Sequence, residues 1–285
     1  MRNFVNLKQA VRSMETDPST AKQPIKRMFV ADGDFMSANL SVLEETGGAL
    51  HTQASHDEIV VVLEGDVDFR VGEESRRVGP GDFIFIPRNT IHGPIICEGQ
   101  RFAALSVFAP FFDRGKQNIT WERDKATSKE ERMSFEASKH VFGPGQGGVL
   151  RQPAPAAGQV TILVEPGVTG ETGFCTLIQT LDAGALVPVH HHEKAEQVLF
   201  FISGNGKAVV GGREVQACPG TTVHVPKGIK HGITNTSAEP LSFLETTSPS
   251  GFQELFRKLN QLSSPSAEEV VRIASEYDVL IDAGD

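Results

Sequence analysis

Six residues recur in this chain at one fixed offset, and that offset constrains the fold more than any other feature. His51, Glu58, Gly65, Gly81, Pro87 and His92 have counterparts in His190, Gln197, Gly204, Gly220, Pro226 and His231. Every pair is 139 residues apart, as from 51 to 190 and from 92 to 231. The intervening texture repeats as well: VVVLEGDVDFRVG (60–72) matches LFFISGNGKAVVG (199–211), and VGPGDFIFIP (78–87) matches ACPGTTVHVP (217–226). A fixed period of this kind marks a tandem duplication.

Each copy reads as β. EIVVVLEG and QVLFFISG are short runs of β-branched or large apolar residues closed by glycine. A turn, a strand, a Pro-Gly turn and another strand halted by proline follow. Short strands with regular Gly/Pro punctuation indicate a sandwich or small barrel. QVLFFI is apolar on both parities, which predicts a strand buried on both faces. The expected organisation is an N-terminal arm and helix (1–27), a first barrel (28–114), a linker (115–158), a second barrel (159–249) and C-terminal helices (250–285). Phe4, Leu7, Ala10 and Val11 share one face of a helix over 4–14. In the linker, Thr127 and Glu130 form a capping box for a helix over roughly 128–140, and GPGQGGVLRQPAPAAG reads as loop. That loop contains G-x-G-x-x-G at 143–148, but its internal Pro and the lack of a strand-to-helix context argue against a dinucleotide site. FQELFRKLNQL and SAEEVVRIASEYDVLI, the second capped by Ser266 with Glu269 as reciprocal partner, are amphipathic and expected to pack on the second barrel.

Composition narrows the partners. With 27 Lys+Arg against 36 Asp+Glu, a net charge of −9 and no local basic cluster, nucleic acid and anionic membrane are poor candidates. Hydrophobic residues at 39% and charged residues at 22% suit a folded globular chain. Cys97, Cys175 and Cys218 are an odd number at unrelated spacings, suiting reduced thiols rather than a disulfide framework. With no signal-peptide h-region and no long apolar span, the expectation is a cytoplasmic protein, with homodimerisation left open.

The histidines carry the chemistry. His190 and His192, two apart in extended chain, point to one face and can converge on one ion. Gln197 opens the next strand, and His231 follows a Pro-Lys-Gly turn. His191 has the opposite parity and should face away. Here the residues resemble the cupin superfamily. GALVPVHHHEKAEQVLFFISG is similar to the first cupin motif, G-x5-H-x-H-x4-E-x6-G, with Gln197 where the family carries Glu. PGTTVHVPKGIKHGITN is similar to the second, G-x5-P-x-G-x2-H-x3-N, matched at Gly220, Pro226, Gly228, His231 and Asn235. The first copy departs further: Glu45 stands for the leading Gly, Gln53 for the second His, Asn89 for a Gly and Ile96 for the Asn. The C-terminal segment is similar to the tails of quercetin-dioxygenase-like cupins. The resemblance implies an all-β bicupin of two tandem jelly-roll barrels with short N-terminal, linker and C-terminal helices.

The resemblance also implies two ligand sets: His51, Gln53, Glu58 and His92 in the first cupin, and His190, His192, Gln197 and His231 in the second. Three imidazoles with open positions suit a divalent transition ion (Fe, Ni, Cu, Mn or Zn) over Mg or Ca. An all-neutral second set would leave the ion its full charge, favouring an anionic chelating substrate. Alternatives stay open for several residues. His51 and His92 are ligands or hydrogen-bonded barrel histidines, and His56 is an alternative to Gln53. Glu58 is a ligand or a general base; Glu196, of opposite parity to Gln197, is a candidate acid/base, more so if the strand register slips by one and brings it inward. His140 and His224 read as structural or exposed. Leu199 and Phe201, by parity with Gln197, line the second site, and Val187 and Val189 lead into the histidines. Three functions are compatible: a dioxygenase acting on a small aromatic or enolisable substrate, an isomerase or decarboxylase working through a metal-stabilised enolate, and a non-enzymatic small-molecule binder.

Overall fold

A computed structural model describes residues 4–17, 25–44, 50–110, 119–121, 140–143, 148–166 and 173–281. The expected helix over 128–140 lies outside these, save for His140. The chain divides into two compact units. The N-terminal unit comprises Gln9–Phe29 and Ser37–Pro144; the C-terminal unit comprises Met1–Lys8, Val30–Met36 and Gly145–Asp285.

In the C-terminal unit a seven-stranded sheet runs in the order Phe4–Asn6, Thr221–Val225, Glu196–Ser203, Leu241–Ser248, Cys175–Leu181, Gly158–Val164 and Gly148–Gln152. A second sheet is formed by Arg213–Ala217, Gly206–Val210, His231–Asn235, Leu186–His191 and Leu280–Ile281. Leu199, Phe201, Val223, Val225 and Phe243 of the first sheet pack against Ala208, Val210, Ala217 and Ile233 of the second. The core therefore lies between two sheets, which is the jelly-roll solution to burying one face of each. The N-terminal unit repeats the plan. A six-stranded sheet centred on Asp57–Glu64 and Arg101–Ala109 packs Val60, Val62, Ile84, Ile86 and Phe102 against Val67, Phe69, Val71 and Val78 of a five-stranded sheet.

The strands Asp57–Glu64 and Glu196–Ser203 are each buried over their first six residues, as expected for runs apolar on both parities. The glycines that close them have one structural reason. Gly65 and Gly204 take φ of +96° and +82°, and a Cβ there would run into the carbonyl oxygens of Arg101 and Pro240. Only glycine fits where the backbone turns left-handed and a neighbouring strand passes this close.

Two segments differ from the sequence reading. Phe4–Asn6 is a strand on the edge of the seven-stranded sheet, with Phe4 opposite Val223; the helix starts at Leu7 and runs to Thr16, burying Leu7, Ala10, Val11 and Met14. An open sheet edge offers backbone partners that a helix turn at Phe4 would forgo. Gly148–Gln152, read as loop, is a strand of a hairpin with Gly158–Val164. Its Leu150 packs against the cluster of Phe252, Leu255, Phe256, Leu259 and Ile273, so tertiary burial overrides the surrounding glycines and prolines. Those residues come from the expected helices, Gln253–Asn260 and Ala267–Glu276, which cover Val160, Ile162, Cys175 and Leu177 of this unit; the Ser266 side chain caps the second by accepting from the Glu269 N–H at 3.1 Å. Among the described residues no helix is long and apolar enough to cross a membrane.

If the backbone crowding at Gly204 is as described, Gly204→Ala lowers stability by about 1–3 kcal/mol in urea denaturation, while Gly184→Ala, at a positive φ but with open space around it, costs less. Equal losses at the two positions would contradict the close-approach account.

Candidate metal centre

Residues Leu186–His191 and His231–Asn235 are paired strands with His190 directly opposite His231, so the register itself brings two of the imidazoles together. His192 follows at the end of the first strand. The ring centroids lie 4.1 Å apart for His190 and His231, 4.9 Å for His190 and His192, and 5.2 Å for His192 and His231. One nitrogen from each lies within 4.8 Å of the others, and all three residues are buried. Among the described residues no other group of three His, Cys, Asp or Glu donors comes this close.

Each ring is oriented by a backbone carbonyl. Nδ1 of His190 lies 2.8 Å from Pro188 O, that of His192 2.7 Å from Asp278 O, and that of His231 3.0 Å from Ile229 O. A carbonyl only accepts, so Nδ1 carries the proton and Nε2 presents its lone pair. Burial, and then the neighbouring imidazoles, pushes His190 down to about 3 and His231 well below its usual range; burial also lowers His192. The three rings are neutral at neutral pH. Asp278 contributes further: its carboxylate accepts from the backbone N–H groups of Glu193, Lys194 and Ala195 at 2.8–3.1 Å. The strand Leu280–Ile281 then pairs with His190 and His191. The C-terminal segment is therefore part of what holds the histidine loop.

The residues fit a cation. Nε2 of His192 is buried with no hydrogen-bond partner among the described residues, although a buried nitrogen lone pair ordinarily has one. Nε2 of His231 lies 2.9 Å from Gln197 Oε1, whose amide nitrogen is turned the other way, toward Glu245 at 2.5 Å. With the His231 proton on Nδ1, two acceptors face each other. A positive ion between such groups resolves that arrangement, and three imidazoles plus an amide oxygen are a donor set for a divalent transition metal.

Glu245 was not singled out from the sequence. It sits opposite Leu199 in the strand pairing, one strand over from Gln197, fully buried. Its carboxylate accepts from the side chains of Gln179, Gln197 and Thr247. Burial raises its carboxyl to about 7 despite those three donors. An acidic residue in the apolar run LSFLETTS is the signal that could have found it. The expected ligand set of the second site is itself neutral, but a buried carboxyl group that the sequence did not point to lies one hydrogen bond behind Gln197.

The first set is arranged differently. His51 pairs with His92 across two strands, their rings 4.2 Å apart, and Trp121 lies 4.8 Å from His51. Gln53 donates its amide N–H to Glu58 Oε2 at 2.9 Å, and His92 Nε2 stands 3.4 Å from the same oxygen, with Nδ1 held by Thr90 O at 2.8 Å. Burial alone would raise Glu58, but His92, Ser106 and His51 outweigh it and bring it to about 2. These groups line a cavity of about 90 Å³. His56 is fully buried, lies edge-on to Phe108 and 3.0 Å from Ser55 Oγ, and is not among the cavity-lining residues.

Glu196 is not brought to the triad. Val198 pairs with His224 and Gln197 with Val225, so Glu196 and His224 share the face opposite Gln197. The Glu196 carboxylate accepts from the backbone N–H groups of Asp34, Phe35 and Met36 at 2.6, 3.3 and 3.3 Å, and lies 3.7 Å from His224. A Cβ on Gly33 would strike it. Its counterpart Asp57 is buried too and takes a bidentate bond from Arg88. The register holds, so the slip that would bring Glu196 inward does not occur. Glu196→Ala is expected to lower stability by about 2–4 kcal/mol through three orphaned backbone donors while leaving metal affinity within twofold, measured by denaturation and calorimetric titration. A stable variant with altered metal affinity would contradict this.

Comparison with known proteins agrees with this architecture. The cupin domain family model matches residues 41–108 and 177–247. No curated protein sequence matches the chain. Among solved structures, salicylate 1,2-dioxygenase from Pseudaminobacter salicylatoxidans is similar at a TM-score of 0.66 and 15% identity, over 86% of this chain and 83% of that one. Oxalate decarboxylase from Bacillus subtilis is similar at 0.53 and 16%, over 81% and 75%. AerE from Microcystis aeruginosa is similar at 0.54 and 13%, over 80% and 94%. With a cupin match in each half, and a shared fold over more than four fifths of its length, the chain is a bicupin.

Proposed function

We propose that this bicupin is a metal-dependent enzyme whose reaction centre is the histidine triad of the C-terminal cupin, and that it is a dioxygenase acting on a small aromatic or enolisable organic substrate. The observation that carries the reading is the set of three buried, neutral imidazoles, each fixed by a backbone carbonyl with its Nε2 turned toward the others. Buried, neutral imidazoles gathered at one point, with the His192 Nε2 left unpartnered among the described residues, are the arrangement a metal-dependent reaction centre uses.

His190, His192 and His231 would hold the ion, with Gln197 Oε1 beside them. A divalent transition metal there supplies Lewis acidity and, if redox-active, electron transfer to dioxygen. The chain supplies the rest. Leu199, Phe201 and Val187 belong to the apolar core between the sheets, and Phe252 stands edge-on to His192 at 5.7 Å. These apolar neighbours lower the local dielectric beside the triad, which strengthens the hold of a bound ion on an anionic group. Similarity to salicylate 1,2-dioxygenase and oxalate decarboxylase supports a cupin scaffold able to host chemistry on small carboxylic acids; fold alone does not choose between their reactions.

The test is oxygen uptake by iron-, nickel-, copper- or manganese-loaded protein, offered hydroxybenzoates, catechols, flavonols and β-diketones. Uptake with at least one class is expected, falling more than a hundredfold in His192→Ala. Turnover without oxygen uptake would favour an isomerase or decarboxylase. No turnover by any loaded form, with or without oxygen, would overturn the enzyme reading.

A further inference from the structure

The two cupins carry their inward carboxylate on different strands. In the N-terminal unit it is Glu58, in the strand Asp57–Glu64, with Ser106 on the neighbouring strand Arg101–Ala109. The residues at the 139-residue offset are Gln197 and Glu245. Both pairs span adjacent, hydrogen-bonded strands: Asp57–Glu64 pairs with Arg101–Ala109, and Glu196–Ser203 with Leu241–Ser248. The acid has moved one strand sideways, and an amide fills the position it left.

We infer that Glu245 is a positioning residue for the metal centre: it turns the Gln197 amide so that Oε1, rather than Nε2, faces the triad. The inference rests on the reading of the triad as a metal centre. An unguided amide has two orientations differing by a half-turn, and only one presents an oxygen to a cation; the other presents N–H groups, which repel it. Glu245 distinguishes between them. Its Oε1 accepts from Gln197 Nε2 at 2.5 Å, and the amide oxygen is thereby directed at His231 Nε2, 2.9 Å away. Thr247 Oγ1, 3.4 Å from the same Nε2, also donates to Glu245 Oε1 at 3.2 Å, and Gln179 donates to the other carboxylate oxygen. The carboxylate is held by three donors, so its own orientation is set.

The arrangement makes the two positions interdependent. Glutamate at 197, the residue of the general cupin motif, would place a second buried carboxyl group a hydrogen bond from Glu245, and two carboxyls this close cannot both ionise. Gln197 is a partner that meets Glu245 without that conflict. Exchanging the two residues should restore what either single change disrupts.

The test is cobalt(II) binding to the full chain, read by calorimetric titration and by the visible spectrum of the bound ion, with melting temperature alongside. Wild type, Glu245→Gln, Glu245→Ser, Gln197→Glu, the double variant Gln197→Glu/Glu245→Gln and the control His192→Ala are compared. The expected result is affinity about tenfold lower, with an altered spectrum, in Glu245→Gln and Glu245→Ser. Gln197→Glu alone should melt lower without a gain in affinity, and the double variant should recover both melting temperature and affinity. Wild type and Glu245→Gln binding alike, with the same spectrum, while His192→Ala fails to bind, would overturn the positioning role and leave the metal centre standing. A wild type that binds no cobalt would overturn both.

Discussion

Three hydrogen bonds from imidazole Nδ1 to backbone carbonyls determine what this molecule can do. Two of them are local, since Pro188 O and Ile229 O lie two residues before the histidines they hold, and the third, from Asp278 O, comes from afar. Yet they decide the tautomer of every ring and so the chemistry of the space between them. With Nδ1 occupied, the remaining nitrogens can only accept, and burial prevents them from protonating. The fold thus gathers three neutral imidazoles in a buried place where a proton does not readily satisfy them. The C-terminal helices are tied into the same arrangement: Asp278, immediately after the last of them, closes the His192 loop with both its carbonyl and its carboxylate.

The duplication shows how one scaffold supports different uses of the same positions. Asp57 and Glu196 are equivalent buried acids beside the site strand, and each is spent on structure: one on Arg88, the other on the backbone of 34–36. Asn235 fastens the turn after the second motif, its amide donating to the carbonyls of Leu181, Asp182 and Glu239, where the first copy has Ile96 and ties the turn through Gln100 instead. Around the histidines the divergence is chemical. In the first cupin Gln53 donates to Glu58 beside a small cavity, and His92 Nε2 stands buried 3.4 Å from the same carboxylate. In the second, Gln197 is satisfied on one side by Glu245 and keeps its oxygen for the triad.

What the sequence revealed follows from what spacing can encode. A fixed offset, glycines that close strands and a strand apolar on both parities are written in the residues themselves, and they led to two β units; the ligand sets came with the resemblance to the cupin motifs. His190 and His192 share a face by parity alone, and His231 joined them through the second motif. The parts that escaped are those in which partners are distant in sequence. Glu245 lies 48 residues from Gln197, and nothing local declares that their strands adjoin. The hairpin strand Gly148–Gln152 hides among glycines and prolines because its stability comes from Leu150 against a helix a hundred residues on. Glu196 looked like a candidate acid because its use, three backbone amides of residues 34–36, is 160 residues away.

The central claim is that the C-terminal cupin is built to hold a transition metal. Its most direct test is elemental mass spectrometry on untagged protein purified without added metal, then reconstituted and desalted. About one equivalent of iron, nickel, copper or manganese per chain, lost when His192 is replaced, is the result this account predicts. Less than a tenth of an equivalent, unchanged after reconstitution, would contradict it.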